Sequence, residues 1–291
     1  GSAPKRATVT GSPPPILIAF DGSAGARDAL ALTRDLAPEA KAVVAYVPPH
    51  EDPVAHHYRR VEPADSSVPP DFFGDANTTL AGQEVEPRVY AGASPAHVLT
   101  DLTEKEDFDL VVVGSPHRGV VGRALIGSVA EALLHGARAS VAVAPRGYSE
   151  GDHGPPRRIA VAYDTTPESD AAVRYAAGLA HAADASLEVL TVVGPSAVDS
   201  KVLVDGPSAT PEDLDLVDRA SQGLGEAVDV HSRRLVGLVA DALADACTDD
   251  DIDLLVLGSR DYGPLKRALA SSVTSRLIHR APCPVLLVPR P

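Results

Sequence analysis

No stretch of this chain comes near the ~18–20 consecutive apolar residues that a membrane-crossing helix requires, so a bilayer-spanning role is excluded. Basic residues are the scarcer charge: Lys and Arg number 26 against 40 Asp and Glu, for a net charge of −14. Binding duplex nucleic acid takes clustered Lys and Arg to neutralise phosphates, so that class is excluded too. One nucleotide held by a local cationic loop is not. Cysteine is nearly absent, and Cys247 and Cys283 share no metal-ligand spacing. Two reduced thiols in a cytoplasmic protein are a simpler reading than a disulfide. Methionine is missing altogether. The Gly1-Ser2 start reads as the remnant of a cleaved tag, and no signal peptide is visible. Residues 1–15, which end in Pro13, Pro14 and Pro15, are expected to be a flexible lead-in. Catalytic signatures are missing as well. No Gly-Lys-Ser/Thr closes a Walker A loop, no Gly-x-Gly-x-x-Gly follows a strand, and no Ser/His/Asp or Cys/His spacing marks a nucleophile.

What is present is a chain of 291 residues, 44% hydrophobic, about two ordinary domains in length. Its strongest pattern spans residues 109–129, DLVVVGSPHRGVVGRALIGSV. An apolar run ends in glycine, a loop rich in glycine and arginine follows, and a Gly-Ser opens an amphipathic segment. A strand that feeds a helix N-terminus in this way leaves backbone N–H groups free to meet an anion. The pattern returns over 253–273 as DLLVLGSRDYGPLKRALASSV. Pairing Asp21 with Asp164, Gly114 with Gly258, Arg123 with Arg267, Ser128 with Ser272 and His135 with His279 brings the halves into register. The chain therefore reads as a duplicated, fused domain, residues 16–146 and 157–291 joined by a Gly, Pro and charge-rich linker over 147–156.

In the first half, apolar runs predict strands over 16–20, 42–47, 85–90, 110–113 and 141–144. Helical spacing runs from Ala29 to Leu36, a second helix is capped by Ser94 with Pro95 at its first position, and a third covers 127–135. The proline-rich stretch 48–82 has no clear period. In the second half, strands are expected over 159–162, 187–192, 254–257 and 285–288, with helices over 167–182, 235–246 and 273–279. Such alternation implies a parallel sheet with right-handed crossovers and helices on both faces. Ligands of such sheets bind beyond the carboxyl ends of the strands, where the strand order reverses. In the first half three elements converge there: Asp21 after Ala19 and Phe20, the second strand ending at Val47, and the Gly114 loop.

Asp21 after the first strand, then Gly114-x-x-His117, nine residues and Gly127-Ser128, resembles the universal stress protein family. Its nucleotide-binding members carry Gly-x-x-Gly, nine residues, Gly-Ser/Thr. The likeness extends over both halves and includes the Ala-Pro-Cys-Pro-Val run at 281–285. It implies an α/β protein of two tandem doubly wound domains, each a five-stranded parallel sheet of order 3-2-1-4-5 flanked by helices. Members pair through the fifth strand, so 141–144 and 285–288 are expected to face each other within one chain, and a homodimer is open as well.

In binders of the family, the first-strand Asp and the end of the second strand hold adenosine, and the glycine loop with Gly-Ser/Thr holds ribose and phosphates. The resemblance thus carries ATP or a related adenine nucleotide, with or without Mg²⁺, to Ala19, Phe20, Asp21, Val47, Gly114, Gly127, Ser128 and Val129. His117 departs from the pattern, standing where the family has its second glycine. Glycine there permits positive φ and close approach of the backbone, and a histidine obstructs both. It can still donate a hydrogen bond to phosphate, and Arg118, Gly119 and Arg123 complete a cationic loop. The alternative is that Gly114 and Gly127 only make the turn and let helix and sheet pack closely. The second half is expected to be degenerate. Beside Asp164, Gly258 and Ser272, Asp261 stands at the second glycine and Ser271 at the third. A carboxylate next to polyphosphate is a like-charge contact unless Mg²⁺ intervenes.

The expected function is regulatory: a cytoplasmic protein that senses adenine nucleotide, chiefly in its first half, without efficient turnover, since no residue is placed as a general base. The alternative is an interaction or dimerisation module with empty, degenerate sites. A hydrolase would rest on fold analogy alone. Smaller features have plain readings. His50, His56 and His57, near Glu51 and Asp52, belong to a solvated loop rather than a metal site. His135 and His279 stand at helix ends, where imidazolium would complement the dipole. Cys283 aligns with Ala139 as a small packed residue, and the carboxylates of Asp249, Asp250 and Asp251 are expected to be solvated. The partner that receives the signal is not legible.

Overall fold

The computed structural model describes residues 14–48, 58–62, 68–69, 71–91, 94–115, 127–194, 228–259 and 267–290, with backbone alone over 267–272. The first half contains β1 (Ile16–Ala19), α1 (Ala24–Leu36), β2 (Ala42–Tyr46), β3 (Arg59–Val61), α2 (Gly74–Thr79) and β4 (Val85–Ala91). It continues through α3 (Pro95–Lys105), β5 (Leu110–Gly114), α4 (Ser128–Gly136) and β6 (Ser140–Ala144). The second half contains β7 (Arg158–Ala162), α5 (Pro167–Ala183), β8 (Ser186–Val193) and β9 (Val230–Val236). It ends with α6 (Val239–Asp249), β10 (Leu254–Gly258), α7 (Arg267–Arg280) and β11 (Val285–Val288).

All eleven strands form one sheet, in the order β3-β4-β2-β1-β5-β6-β11-β10-β7-β8-β9. Neighbours within each half are parallel, except that the short edge strand β3 runs antiparallel to β4. At the centre β6 pairs antiparallel with β11, Val143 opposite Val285 and Val141 opposite Leu287. That one antiparallel joint turns the halves head to tail. The carboxyl ends of the strands, and hence the two candidate crevices, lie at opposite edges of the sheet.

Parallel strands covered on both faces must be apolar throughout, which is why they appear as unbroken Val/Ile/Leu runs. Alternation then assigns the faces. Ile16 and Ile18 pack under α1, in the layer that also holds α2 and α5. Leu17 packs into the opposite layer, with α3, α4, α6 and α7. Each buried Leu or Ile contributes roughly 1.5–3 kcal/mol. Helix starts follow the local chemistry. The Ser23, Ser94 and Thr166 hydroxyls accept the N–H of Ala26, His97 and Ser169, and Pro95 and Pro167 occupy first-turn positions where no N–H is needed. Among the described residues no helix is long and apolar enough to cross a membrane.

Several expectations need correction. The stretch expected as a helix from Leu235 is a strand to Val236, and α6 begins only at Val239, because Gly237 breaks the chain direction at φ 150°. The spacing of Leu235, Leu238 and Val239 misled, since the residues α6 buries are Ala240, Leu243, Ala244, Ala246 and Cys247. Asp250 is not a solvated acid. It pairs with Arg233 of β9 and repeats, in the second half, the 2.6 Å pair of Arg88 with Glu106 that ties β4 to the end of α3. The linker is clamped to the first half. Asp28 of α1, fully buried, accepts the N–H groups of Gly147 (3.0 Å) and Ser149 (2.9 Å) and the Ser149 hydroxyl (2.7 Å), and Tyr148 is buried beside it.

Candidate functional site

The strand order reverses between β1 and β5: β2 and β4 lie on one side, β6 on the other. At the carboxyl end of β1, Phe20 N–H bonds the Ala45 carbonyl at 3.0 Å, which keeps the first and second strand ends level. Asp21 follows, exposed. Its Oδ1 accepts the Ser23 N–H at 3.0 Å across Gly22, whose φ is +75°. This Asx turn aims the chain into α1, and glycine supplies the left-handed residue it needs.

The first turn of α1 then crosses the end of β5. A Cβ on Gly114 would lie 1.8 Å from the Gly25 carbonyl oxygen. Close helix–strand packing therefore requires Gly114, whether or not a ligand is present. The next residue, Ser115, donates its N–H to the Ala144 carbonyl, and its buried hydroxyl oxygen has no hydrogen-bond partner among the described residues.

The nearby helix α4 starts at Gly127 with no side-chain cap. The first N–H groups of a helix have no partner inside it, and here the N-cap, a glycine, has no side chain to supply one. Ser128 is exposed and Val129 half-buried at this start. An uncapped N-terminus at the carboxyl edge of a switch point can hold an anion.

The residues expected beside it divide. Ala19 is half-buried, but Phe20 and Val47 are core residues, 3% and 5% exposed. Phe20 packs edge-on to Phe72 at 5.4 Å between ring centroids, and Tyr46 lies 4.5 Å from the same ring. Only main-chain atoms of Phe20 and Val47 remain to meet a ligand. Phe72 and Phe73, hidden in the stretch that shows no period, pack against Phe20, and the Phe72 ring lies 3.4 Å from where a Cβ on Gly22 would stand. His117, Arg118, Gly119 and Arg123 lie outside the described residues, as do His50, His56 and His57.

The second crevice repeats the turn and alters its surroundings. Asp164 Oδ1 accepts both the N–H (3.3 Å) and the hydroxyl (2.6 Å) of Thr166, and Thr165 takes the left-handed position at φ +64°. A Cβ on Gly258 would come within 2.5 Å of the Glu168 backbone, so this glycine too serves packing. Carboxylates crowd the first turn of α5. Glu168 pairs with Arg290 at 3.3 Å, and Asp170 accepts the Tyr163 hydroxyl at 3.1 Å; α1 has no acid in its first turn.

The larger difference is in the helix that follows. α7 begins at Arg267, not near Val273, so Ser271 and Ser272 sit inside it. Their N–H groups are intrahelical donors rather than a free helix start. Asp261 lies outside the described residues. His279, at the end of α7, is held below the ordinary imidazole pKa by burial, against the expected imidazolium. Among the described residues no cluster of His, Cys, Asp and Glu could hold a metal ion.

Comparison with known proteins points one way. A sequence model of the universal stress protein family matches residues 14–145 and again 156–289. The universal stress protein Rv2319c of Mycobacterium tuberculosis is 28% identical over 228 residues, 72% of this chain and 73% of that protein. The universal stress protein Sll1654 of Synechocystis is 30% identical over 129 residues, covering 43% of this chain and 81% of its own. Among solved structures, a universal stress protein from Archaeoglobus fulgidus superposes with a TM-score of 0.65 at 20% identity, over 94% of this chain and 96% of that one.

Proposed function

The chain belongs to the universal stress protein family, and from that premise we propose that its first half binds ATP or a related adenine nucleotide in a regulatory role while its second half does not. The observation that carries this reading is the start of α4. There a glycine N-cap offers no side chain, and no described residue caps the helix N–H groups at the edge where β1, β2 and β5 end. In the proposal, the N–H groups of Ser128 and Val129 and the Ser128 hydroxyl meet phosphate. Ser115 supplies a further hydroxyl, and His117, Arg118 and Arg123 bring positive charge. Asp21 faces the donors of adenosine, beside the main chain of Phe20 and Val47 and the half-buried Ala19. Mg²⁺ accompanying the phosphates would draw its ligands mainly from phosphate oxygens and water.

Binding without efficient turnover suits this set, because Asp21 is engaged as an acceptor in its own turn. A cytoplasmic setting suits two cysteines that are both free thiols.

A second reading, that of an interaction module, is favoured for the second half alone. Its Ser271 and Ser272 lie within a helix, and Glu168 adds negative charge to the first turn of α5, where α1 has none. Because β6 and β11 satisfy each other, any homodimer would have to use a different surface. The test is direct. Protein purified under native conditions is denatured, and the released small molecules are separated by ion exchange with mass detection. One adenine nucleotide per chain is expected. Two would remove the asymmetry, and none, with flat calorimetry on adding ATP and Mg²⁺, would leave the interaction module as the reading of the whole chain.

A further inference from the structure

The chain's two cysteines, far apart in sequence, meet in the second half. Cys247 sits in the last turn of α6, and Cys283 stands between Pro282 and Pro284 just before β11. They are 1% and 6% exposed, share the core layer beneath α6 and α7, and are both free. The Cys247 side chain lies within interaction range of the Cys283 thiol and, with burial, raises its pKa.

The equivalent joint of the first half explains why they meet. Thr103 occupies the Cys247 position in α3, and its Oγ1 accepts the Arg138 N–H at 3.2 Å, one residue before Ala139, the counterpart of Cys283. In the second half Pro282 replaces Arg138 and has no N–H to give. The hydrogen bond that joins helix to strand start is lost, and two facing thiols stand in its place. Both are rigidly mounted, one on a helix and one between prolines.

We propose that Cys247 and Cys283 are a reversible dithiol–disulfide site, with a hydroperoxide as the class of oxidant. One thiol, reacting as its thiolate, attacks the peroxide. An S–O bond forms, the O–O bond breaks, and the departing alkoxide or hydroxide takes up the proton that the thiol lost. The second sulfur then displaces the sulfenic hydroxyl, forming the S–S bond, and its proton leaves with that hydroxide as water. Two thiols and one hydroperoxide give one disulfide, one alcohol (or water) and one water, with two electrons passing from sulfur to oxygen.

The new bond ties the end of α6 to the start of β11 and closes a loop that contains β10 and α7. At rest, burial and the facing thiol hold the Cys283 pKa well above the ordinary thiol range. The Cys283 thiol is therefore protonated at neutral pH, and because both sulfurs are buried the pair reacts only when the α6–β11 joint opens. None of this depends on nucleotide binding in the first half.

The experiment uses the full folded chain. It is exposed to hydrogen peroxide, denatured in excess maleimide, digested without reductant and mapped by mass spectrometry. A peptide linking Cys247 to Cys283 is expected, with maleimide uptake falling from two per chain to none and a raised Tm that dithiothreitol reverses. Two maleimides still taken up, separate sulfinic or sulfonic acids, or only intermolecular disulfides would overturn the proposal. Cys247→Thr, which restores the first-half residue, should abolish the peroxide-dependent rise in Tm. An undiminished rise in that variant would equally overturn it.

Discussion

At the end of β1, an Asx turn built on Asp21 and Gly22 launches α1 across Gly114; at the end of β7, the same turn built on Asp164 and Thr165 launches α5 across Gly258. Arg88 with Glu106 ties β4 to the end of α3, and Arg233 with Asp250 ties β9 to the end of α6 in the same way. What the halves share is thus what the fold demands. An aspartate after the first strand and a glycine after the fourth are not, by themselves, signs of a ligand. The differences carry the functional information. α4 starts at an uncapped glycine where α7 is already a turn into its helix, and Gly25 stands where the second half has Glu168.

The packing role of the two glycines is the part of this comparison with the largest expected effect. A methyl group on Gly114 meets a backbone oxygen at 1.8 Å and one on Gly258 meets backbone at 2.5 Å. Overpacking against a rigid backbone costs about 1–3 kcal/mol and sometimes more. Gly114→Ala should therefore destabilise by about 3 kcal/mol or more and Gly258→Ala by about 2 kcal/mol, read from urea midpoints. A Gly114→Ala protein of unchanged stability that had lost nucleotide would reverse the assignment and make the glycine a ligand contact.

These same positions show how far the sequence could be read. The duplication, the parallel strands and the cap at Ser94 were legible because period and cap chemistry are local; the caps at Ser23 and Thr166 emerge only in the structure. The strand Val230–Val236 was not, because its Leu235 falls in helical phase with Leu238, Val239 and Leu243 and only tertiary context separates them. Of the expected site, the strand ends were legible, while most of the glycine loop lies outside the described residues. Its failures were of orientation. Phe20 and Val47 lie at the right ends of the right strands with their side chains turned into the core. The role of Gly114 depends on Gly25, a contact between residues distant in the chain. The meeting of Cys247 and Cys283 is invisible for the same reason.

Nucleotide binding is where the two halves can be set directly against each other. Gly127→Val combined with Ser128→Ala puts a branched side chain at the open start of α4 and removes its hydroxyl. Affinity measured by calorimetry should fall by about 100-fold or more, about 2.7 kcal/mol, with the unfolding midpoint little changed. Ser272→Ala should do nothing to either quantity, since that residue is inside α7. Asp261→Gly should likewise leave the stoichiometry at one, because removing the carboxylate does not create a helix start. A second equivalent of bound nucleotide in that variant would show that charge, and not helix geometry, had closed the second crevice.

The smallest effect separates the halves by pH. Glu86 of β4 is held at a pKa of about 2, from an ordinary 4.5, first by its hydrogen bond to Arg88 and then by Lys41 and Arg60. A carboxylate whose folded pKa is depressed adds stability that is complete above the unfolded value and lost as pH falls toward the folded one. The side chain is only 26% exposed, but Arg60 and Lys41 are 46% and 37% exposed, so screening limits the contribution to about 1 kcal/mol. Glu86→Gln should thus cost about 1 kcal/mol at pH 7 and almost nothing near pH 2. The second half has His231 at this position, an exposed side chain paired with Asp229 at 3.1 Å, and its nearby ion pairs centre instead on Arg233, which meets Glu188 and Asp250. Between pH 4.5 and 2, then, amide exchange should accelerate in β2 and β4 before it does in β8 and β9, and Glu86→Gln should abolish that pH-dependent lead. If the variant's stability falls with acid exactly as steeply as that of the parent, the cluster is ornamental and the acid sensitivity of the first half must come from elsewhere.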